Sequence, residues 1–106
     1  MPKYLVQFSY TKDGLQGLLK EGGTARRNAL QHLAQSLGGT LESFYYAFGA
    51  DDGLAILDVP DSVSVAAAAL LVNASGAATT RTTLLLTAEE VDEAVKRGGD
   101  YRPPGH

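Results

Sequence analysis

Two adjacent arginines, Arg26 and Arg27, follow Gly22-Gly23-Thr24 at the start of a segment with helical spacing. Free N–H groups at a helix N-terminus attract anions, and glycines ahead of them let a ligand approach the backbone. The pair is therefore a candidate anion site, although the Gly-Lys-Ser/Thr ending of a phosphate loop is missing. His32 lies in the same segment, flanked at helical spacing by Asn28, Ala29, Gln35 and Ser36, off the apolar stripe. An imidazole there can exchange protons near neutral pH. His106 is the second histidine, and nothing in its spacing makes a metal pair with His32.

Asp51 and Asp52 form a carboxylate pair in a glycine-bounded turn. Such a pair can hold a divalent cation or act as a base, but the spacing is not that of an EF-hand. Asp58 interrupts the apolar run LAILDV on the side of Leu54 and Ile56. A carboxylate on a covered sheet face needs a partner or a raised pKa. Tyr46 stands among Phe44, Tyr45 and Phe48, where a hydroxyl would be the polar handle of an otherwise apolar cavity. Each residue also has an ordinary structural reading: solvated arginines, a surface histidine, turn-forming aspartates and a core tyrosine. No Ser-His-Asp order, H-E-x-x-H or G-x-G-x-x-G is present, so no cofactor and no metal site are expected and no catalytic residue is assigned.

These side chains sit on 106 residues, enough for one domain with a modest core. Charged residues make up 20% and hydrophobic ones 44%, the balance of a folded chain. Net charge −3 lacks the basic footprint of a nucleic-acid binder. The chain has no cysteine, which excludes disulfides and thiolate chemistry. The longest apolar run, Val65 to Val72, is too short to cross a bilayer, and no signal segment opens the chain, so the expected location is the cytoplasm, without membrane contact.

Lys3 to Tyr10 reads as a strand with Tyr4, Val6, Phe8 and Tyr10 on one side. Thr11 or Asp13 caps a short turn carrying Leu15, Leu18 and Leu19. Thr24 is the expected N-cap of a longer helix ending at Gly38-Gly39. Thr40 to Phe48 and Leu54 to Val59 read as a hairpin stopped by Pro60. Asp61 or Ser62 caps a helix from about Val63 to Ser75, and Thr79 to Leu86 reads as the fourth strand. Thr87-Ala88-Glu89-Glu90 is a capping box opening a last helix to Gly98-Gly99. The order is β-α-β-β-α-β plus a C-terminal helix, an α+β ferredoxin-like plan over residues 1–99. Residues 100–106 form a Pro/Gly-rich tail that can dock on a neighbour as an extended arm or fray.

Helices on one side of such a sheet leave the other side open, and an open side should be polar. Here Phe44, Tyr46 and Phe48 are expected on one side of the second strand and Leu41, Tyr45 and Ala47 on the other. Only Ser64 and Asn73 are polar between Val63 and Ala74. Surfaces apolar all round are normally covered, so a homo-oligomer with sheets packed face to face is expected.

The stretches Tyr4-Leu5-Val6-Gln7, Gly17-Leu18-Leu19-Lys20-Glu21-Gly22-Gly23, Leu37-Gly38-Gly39, Glu42-Ser43-Phe44-Tyr45-Tyr46-Ala47-Phe48-Gly49 and Thr82-Thr83-Leu84-Leu85-Leu86-Thr87 together resemble the GYD-domain family. Its members are small bacterial and archaeal proteins of unknown function. The resemblance runs from Tyr4 to about Arg97 and implies a dimeric α/β-barrel type of fold. Where the family has a Gly-Tyr-Asp-like element, this chain reads Gly49-Ala50-Asp51-Asp52 and lacks the tyrosine. The expectation for function is an uncharacterised oligomeric module that binds a small ligand or regulates. The alternative is a cofactor-independent enzyme on a small metabolite, aromatic ones included, using a tyrosine, His32 or Asp52 for proton transfer. Arg26, Arg27, His32, Tyr46, Asp52 and Asp58 are the candidate ligand-binding residues.

Overall fold

Alternation along the first strand decides the layering. In the computed structural model, which describes all 106 residues, Tyr4, Val6 and Phe8 are buried while Lys3, Leu5 and Gln7 between them stay half-exposed. This strand, β1 (Lys3–Tyr10), is followed by α1 (Lys12–Glu21), α2 (Gly23–Ser36), β2 (Thr40–Tyr46), β3 (Gly53–Asp58), α3 (Ser62–Ala74), β4 (Ala78–Leu85) and α4 (Ala88–Arg97). β1 pairs antiparallel with both β3 and β4, and β2 pairs antiparallel with β3. The resulting order β2-β3-β1-β4 is compatible with the ferredoxin-like plan. No helix is long and apolar enough to cross a membrane.

Cross-strand partners carry the buried side across the sheet: Tyr4 lies opposite Leu57, and Val6 opposite Ala55. The core cluster joins Tyr4, Val6, Leu57 and Val59 to Ala34 of α2 and Val65 and Ala68 of α3, with Leu30, Leu33, Leu37 and Leu41 against it. Gly53 sits opposite Phe8, where a Cβ would lie 2.3 Å from the ring's Cζ. That gap admits the ring, which stacks on Phe44 with centroids 5.6 Å apart.

The register of β2 differs from simple alternation. Pairing shifts between Leu41 and Ser43, a bulge at Glu42. The extra residue returns Leu41 to the side of Phe44 and Tyr46, so Leu41 packs on the core instead of facing away with Tyr45. β2 also stops two residues early. The N–H groups of Ala47 and Phe48 both donate to the Asp52 carbonyl, and Phe48 turns to φ 51°. A turn replaces the ladder there, which leaves the Phe48 ring exposed.

The helix starts follow local hydrogen bonding. Thr11 caps α1 by accepting from the Gly14 N–H, and its hydroxyl donates to the Gly76 carbonyl at 2.7 Å. The expected short turn is a full helix of ten residues. α2 begins at Gly23 with Gly22 as its cap, not Thr24. A φ of 89° at Gly22 reverses the chain in one residue, so Thr24 already lies within the first turn. Asp61 caps α3 through the Ser64 N–H at 2.8 Å, and Thr87 and Glu90 close the capping box of α4.

The helix-free side of the sheet presents Leu5, Leu54 and Ile56, all half-exposed, interleaved with Gln7, Ser43 and Thr83 between two charged ends. Lys3, Glu42 and Asp58 form one end, and Asp51 with Arg81 forms the other. α4 leaves the domain altogether and buries none of its residues. The radius of gyration is accordingly 16.7 Å, against about 13 Å for a compact chain of this length.

Candidate functional site

The core cluster fills only one end of the layer between sheet and helices. At the other end, where β1 runs out at Tyr10, a cavity of about 250 Å³ remains. It is framed by Phe8, Tyr10 and Phe44 of the sheet, Arg26 and Leu33 of α2, and Leu71 of α3. Eleven of its fourteen lining residues are hydrophobic, and the polar remainder is Arg26, Ser75 and Thr80. The gap exists because α2 rests on β2 and α3 on β4, while alanines 29, 77 and 78 leave the space between them unfilled.

The polar groups gather at one wall. Burial, followed by the neighbouring Tyr46 hydroxyl, pushes the Tyr10 phenol well above the usual tyrosine range, and Arg26 pulls it the other way. Tyr10 is therefore a neutral donor at neutral pH. Tyr46 donates its hydroxyl to the Gly23 carbonyl at 3.0 Å. A Cβ on Gly23 would approach Tyr46 Cε2 to 3.0 Å, so the glycine lets the ring lie against the start of α2. The Arg26 guanidinium also pairs with Glu21, Nη1 to Oε2 at 3.3 Å, on an exposed edge. A half-buried cation and a neutral phenol thus border an apolar space. That arrangement can orient a small apolar molecule carrying one anionic or accepting group.

The sequence candidates separate. Arg26 lines the cavity, and Tyr46 braces its wall through Gly23 and Tyr10. Arg27 is exposed and its guanidinium meets only Asn28 Oδ1 at 3.4 Å, because adjacent helix positions point about 100° apart. His32 is exposed and does not line the cavity. Asp52 accepts the Tyr10 N–H at 2.8 Å while its own N–H donates to the Phe8 carbonyl at 2.9 Å. It clips the β2–β3 turn to the end of β1. Asp51 accepts from Ser9 Oγ at 3.3 Å and pairs with Arg81.

Asp58 lies on the helix-free side, 3.5 Å from Lys3 Nζ and 3.7 Å from the N-terminal ammonium. Its Oδ1 is buried and takes no hydrogen bond. Lys3 bridges it to Glu42, and Glu42 above all holds the lysine ammonium above its ordinary range. No three His, Asp or Glu side chains gather where they could hold a metal ion.

The residue that sequence reasoning passed over is Tyr10. Its signal was present: it continues the Tyr4-Val6-Phe8 alternation one step past the last buried ring.

Comparison with known proteins returns one match. A family model described as the GYD domain covers residues 4–95. No curated protein and no solved structure matches the chain.

Proposed function

We propose, for a chain that belongs to the GYD-domain family, that it is an oligomeric module binding a small aromatic or aliphatic molecule with one anionic group. The observation that carries this reading is the apolar cavity of about 250 Å³ with Arg26 as its only charged lining residue. The ligand's apolar body lies against Phe8, Phe44 and Leu71, and its anionic group meets Arg26 and the Tyr10 hydroxyl. A guanidinium–carboxylate contact at such an exposed edge is worth about 0.2–1 kcal/mol. The test is titration calorimetry with benzoate, with benzyl alcohol as the uncharged control. Benzoate binds in preference, and Arg26→Gln removes the preference while Arg27→Gln keeps it. Equal affinity of wild type for the two probes, or none for either, refutes the reading.

The oligomer forms by stacking a second copy on the helix-free side, giving the dimeric α/β-barrel type of assembly. Its support is the half-exposed Leu5, Leu54 and Ile56, interleaved with the uncharged Gln7, Ser43 and Thr83 and bounded by charged ends, as in an interface whose centre is depleted of charge. In an enzymatic role the Tyr10 hydroxyl, kept protonated by burial, would hold a substrate as a hydrogen-bond donor and would be too weak an acid to give up its proton near neutral pH.

A further inference from the structure

Every residue from Arg81 to His106 is exposed except Leu85. Within that stretch α4 is nonetheless a fully specified helix. It has a capping box, acids in its first turn, bases in its last, and an Arg97–Glu93 pair at 3.3 Å. A ten-residue helix on its own is marginal in water and normally depends on a packed apolar face. Val91, Ala94 and Val95 make such a face at i, i+3 and i+4, yet Val95 is 76% exposed and nothing in its own chain covers it.

A second uncovered stripe lies on α3. Val63, Ala66 and Leu70 follow one another at helical spacing on its outer side, with Val63 75% and Leu70 71% exposed. We infer that α4 is a docking arm whose Val91-Ala94-Val95 face packs on the Val63-Ala66-Leu70 face of α3 in a second copy of this chain.

The surface area supports a second copy as the occupant. The chain exposes 7146 Å², about 1,500 Å² more than the roughly 5,700 Å² of a compact monomer of its mass. A standard interface takes about 800 Å² from each partner. The excess therefore suffices for a stable dimer, and α4 and the tail after it are exposed throughout. Charge points the same way. The polar side of α4 carries Glu89, Glu90, Asp92 and Glu93 against Lys96 and Arg97, whereas a helix lying on a membrane would be rich in bases. α3 has no charged residue, so it meets that acidic helix without repulsion. Folding back onto its own α3 is opposed by the connection, because only Leu86 and Thr87 separate β4 from α4 and the capping box fixes the exit direction.

This contact is separate from the cavity and from the helix-free side of the sheet, and its test distinguishes them. The chain has no cysteine, so single cysteines report without background. Val95→Cys and Leu70→Cys proteins are mixed at micromolar concentration and oxidised, and the products are weighed by mass spectrometry. The expected product is a covalent dimer of one Val95→Cys chain with one Leu70→Cys chain, in excess over either homodimer. In parallel, Val91→Ser/Val95→Ser weakens self-association of the full chain at least about tenfold in sedimentation, since each valine loses its burial. These changes touch only exposed side chains, and an unchanged far-ultraviolet spectrum confirms folding. Benzoate binding and the behaviour of Ile56 variants stay as in wild type. Absence of the mixed disulfide, a disulfide formed within one Val95→Cys/Leu70→Cys chain, or sedimentation unaffected by the serines overturns the inference.

Discussion

Leu57 and Ile56 are neighbours on β3 that face opposite sides of the sheet, and comparing them tests what covers the helix-free side. Leu57 is 1% exposed within the core cluster, while Ile56 is half-exposed in the single chain. Leu57→Ala removes three buried carbons, about 2.4 kcal/mol at 0.8 kcal/mol per methylene. The cavity left behind brings the loss to about 3 kcal/mol, within the usual range of about 2–5. A domain of this size has roughly 5–15 kcal/mol to lose, so the variant still folds but with a much lower midpoint. For a single chain, Ile56→Ala forfeits only the covered part of its side chain, about 1 kcal/mol. With a second copy stacked on that side, Ile56 is buried too and its loss rises to the level of Leu57.

Urea unfolding followed by circular dichroism at two protein concentrations a hundredfold apart separates these cases. Stacking predicts a wild-type midpoint that rises with concentration, and an Ile56→Ala loss of at least about 2 kcal/mol with a weaker concentration dependence. A concentration-independent midpoint, together with an Ile56→Ala loss of about 1 kcal/mol or less, would refute the stacking argument. A small loss for Leu57→Ala would refute the core assignment itself.

Gly53→Val places a side chain against the Phe8 ring, whose Cζ lies 2.3 Å from the position of the new Cβ; thermal unfolding is expected to show a loss of about 1–3 kcal/mol. Tyr10 ionises above the usual tyrosine range, so the unfolded chain releases that proton first and stability falls as pH climbs past about 10. Tyr10→Phe should remove the highest-pH limb of the phenolate absorbance titration, and an unchanged limb would contradict the burial of that phenol. The Asp61 carboxyl is held below its ordinary range, first by the Ser64 N–H and then by the Ser64 hydroxyl; the Glu90 carboxyl is held low in the same way by Thr87. Their contribution is present above the ordinary carboxylate pKa and fades as pH falls through the lowered values. Asp61→Asn should therefore flatten the acid limb of the stability–pH curve, measured by urea midpoints. Thr87→Ala removes the cap of α4 and costs that helix about 1 kcal/mol, seen as faster amide exchange confined to residues 88–97.

The element order was legible because each change of period is sharp. Tyr4-Val6-Phe8 alternates, Leu30-Leu33-Ala34-Leu37 follows the helix, and glycines or Pro60 mark most of the boundaries. The Thr87–Glu90 capping box was legible because its bonds run three residues along the chain. What depended on distant partners was not. The bulge at Glu42 comes from pairing with β3, so strict alternation put Leu41 on the wrong side. The turn at Phe48 is held by Asp52, four residues on. Asp52 looked like a free carboxylate because its partner, the Tyr10 N–H, lies 42 positions away. Arg26 and Arg27 are equivalent as residue types, and only the seating of α2 gives one the cavity and the other the solvent.

The interior is divided lengthwise. Tyr4, Leu57, Val59, Val65 and Ala68 hold the fold at one end, the cavity occupies the other, and Val6 alone among the buried cluster borders both. The small residues Ala29, Ala77 and Ala78 set the cavity's size without belonging to that cluster. Exchanging the exposed Ala29 or the half-exposed Ala77 for a larger side chain would reshape the space while that cluster stays intact, whereas Ala78 is itself buried. Selection for a new ligand could therefore act on this end with little risk to folding, and relatives that share the scaffold are free to diverge in what they hold.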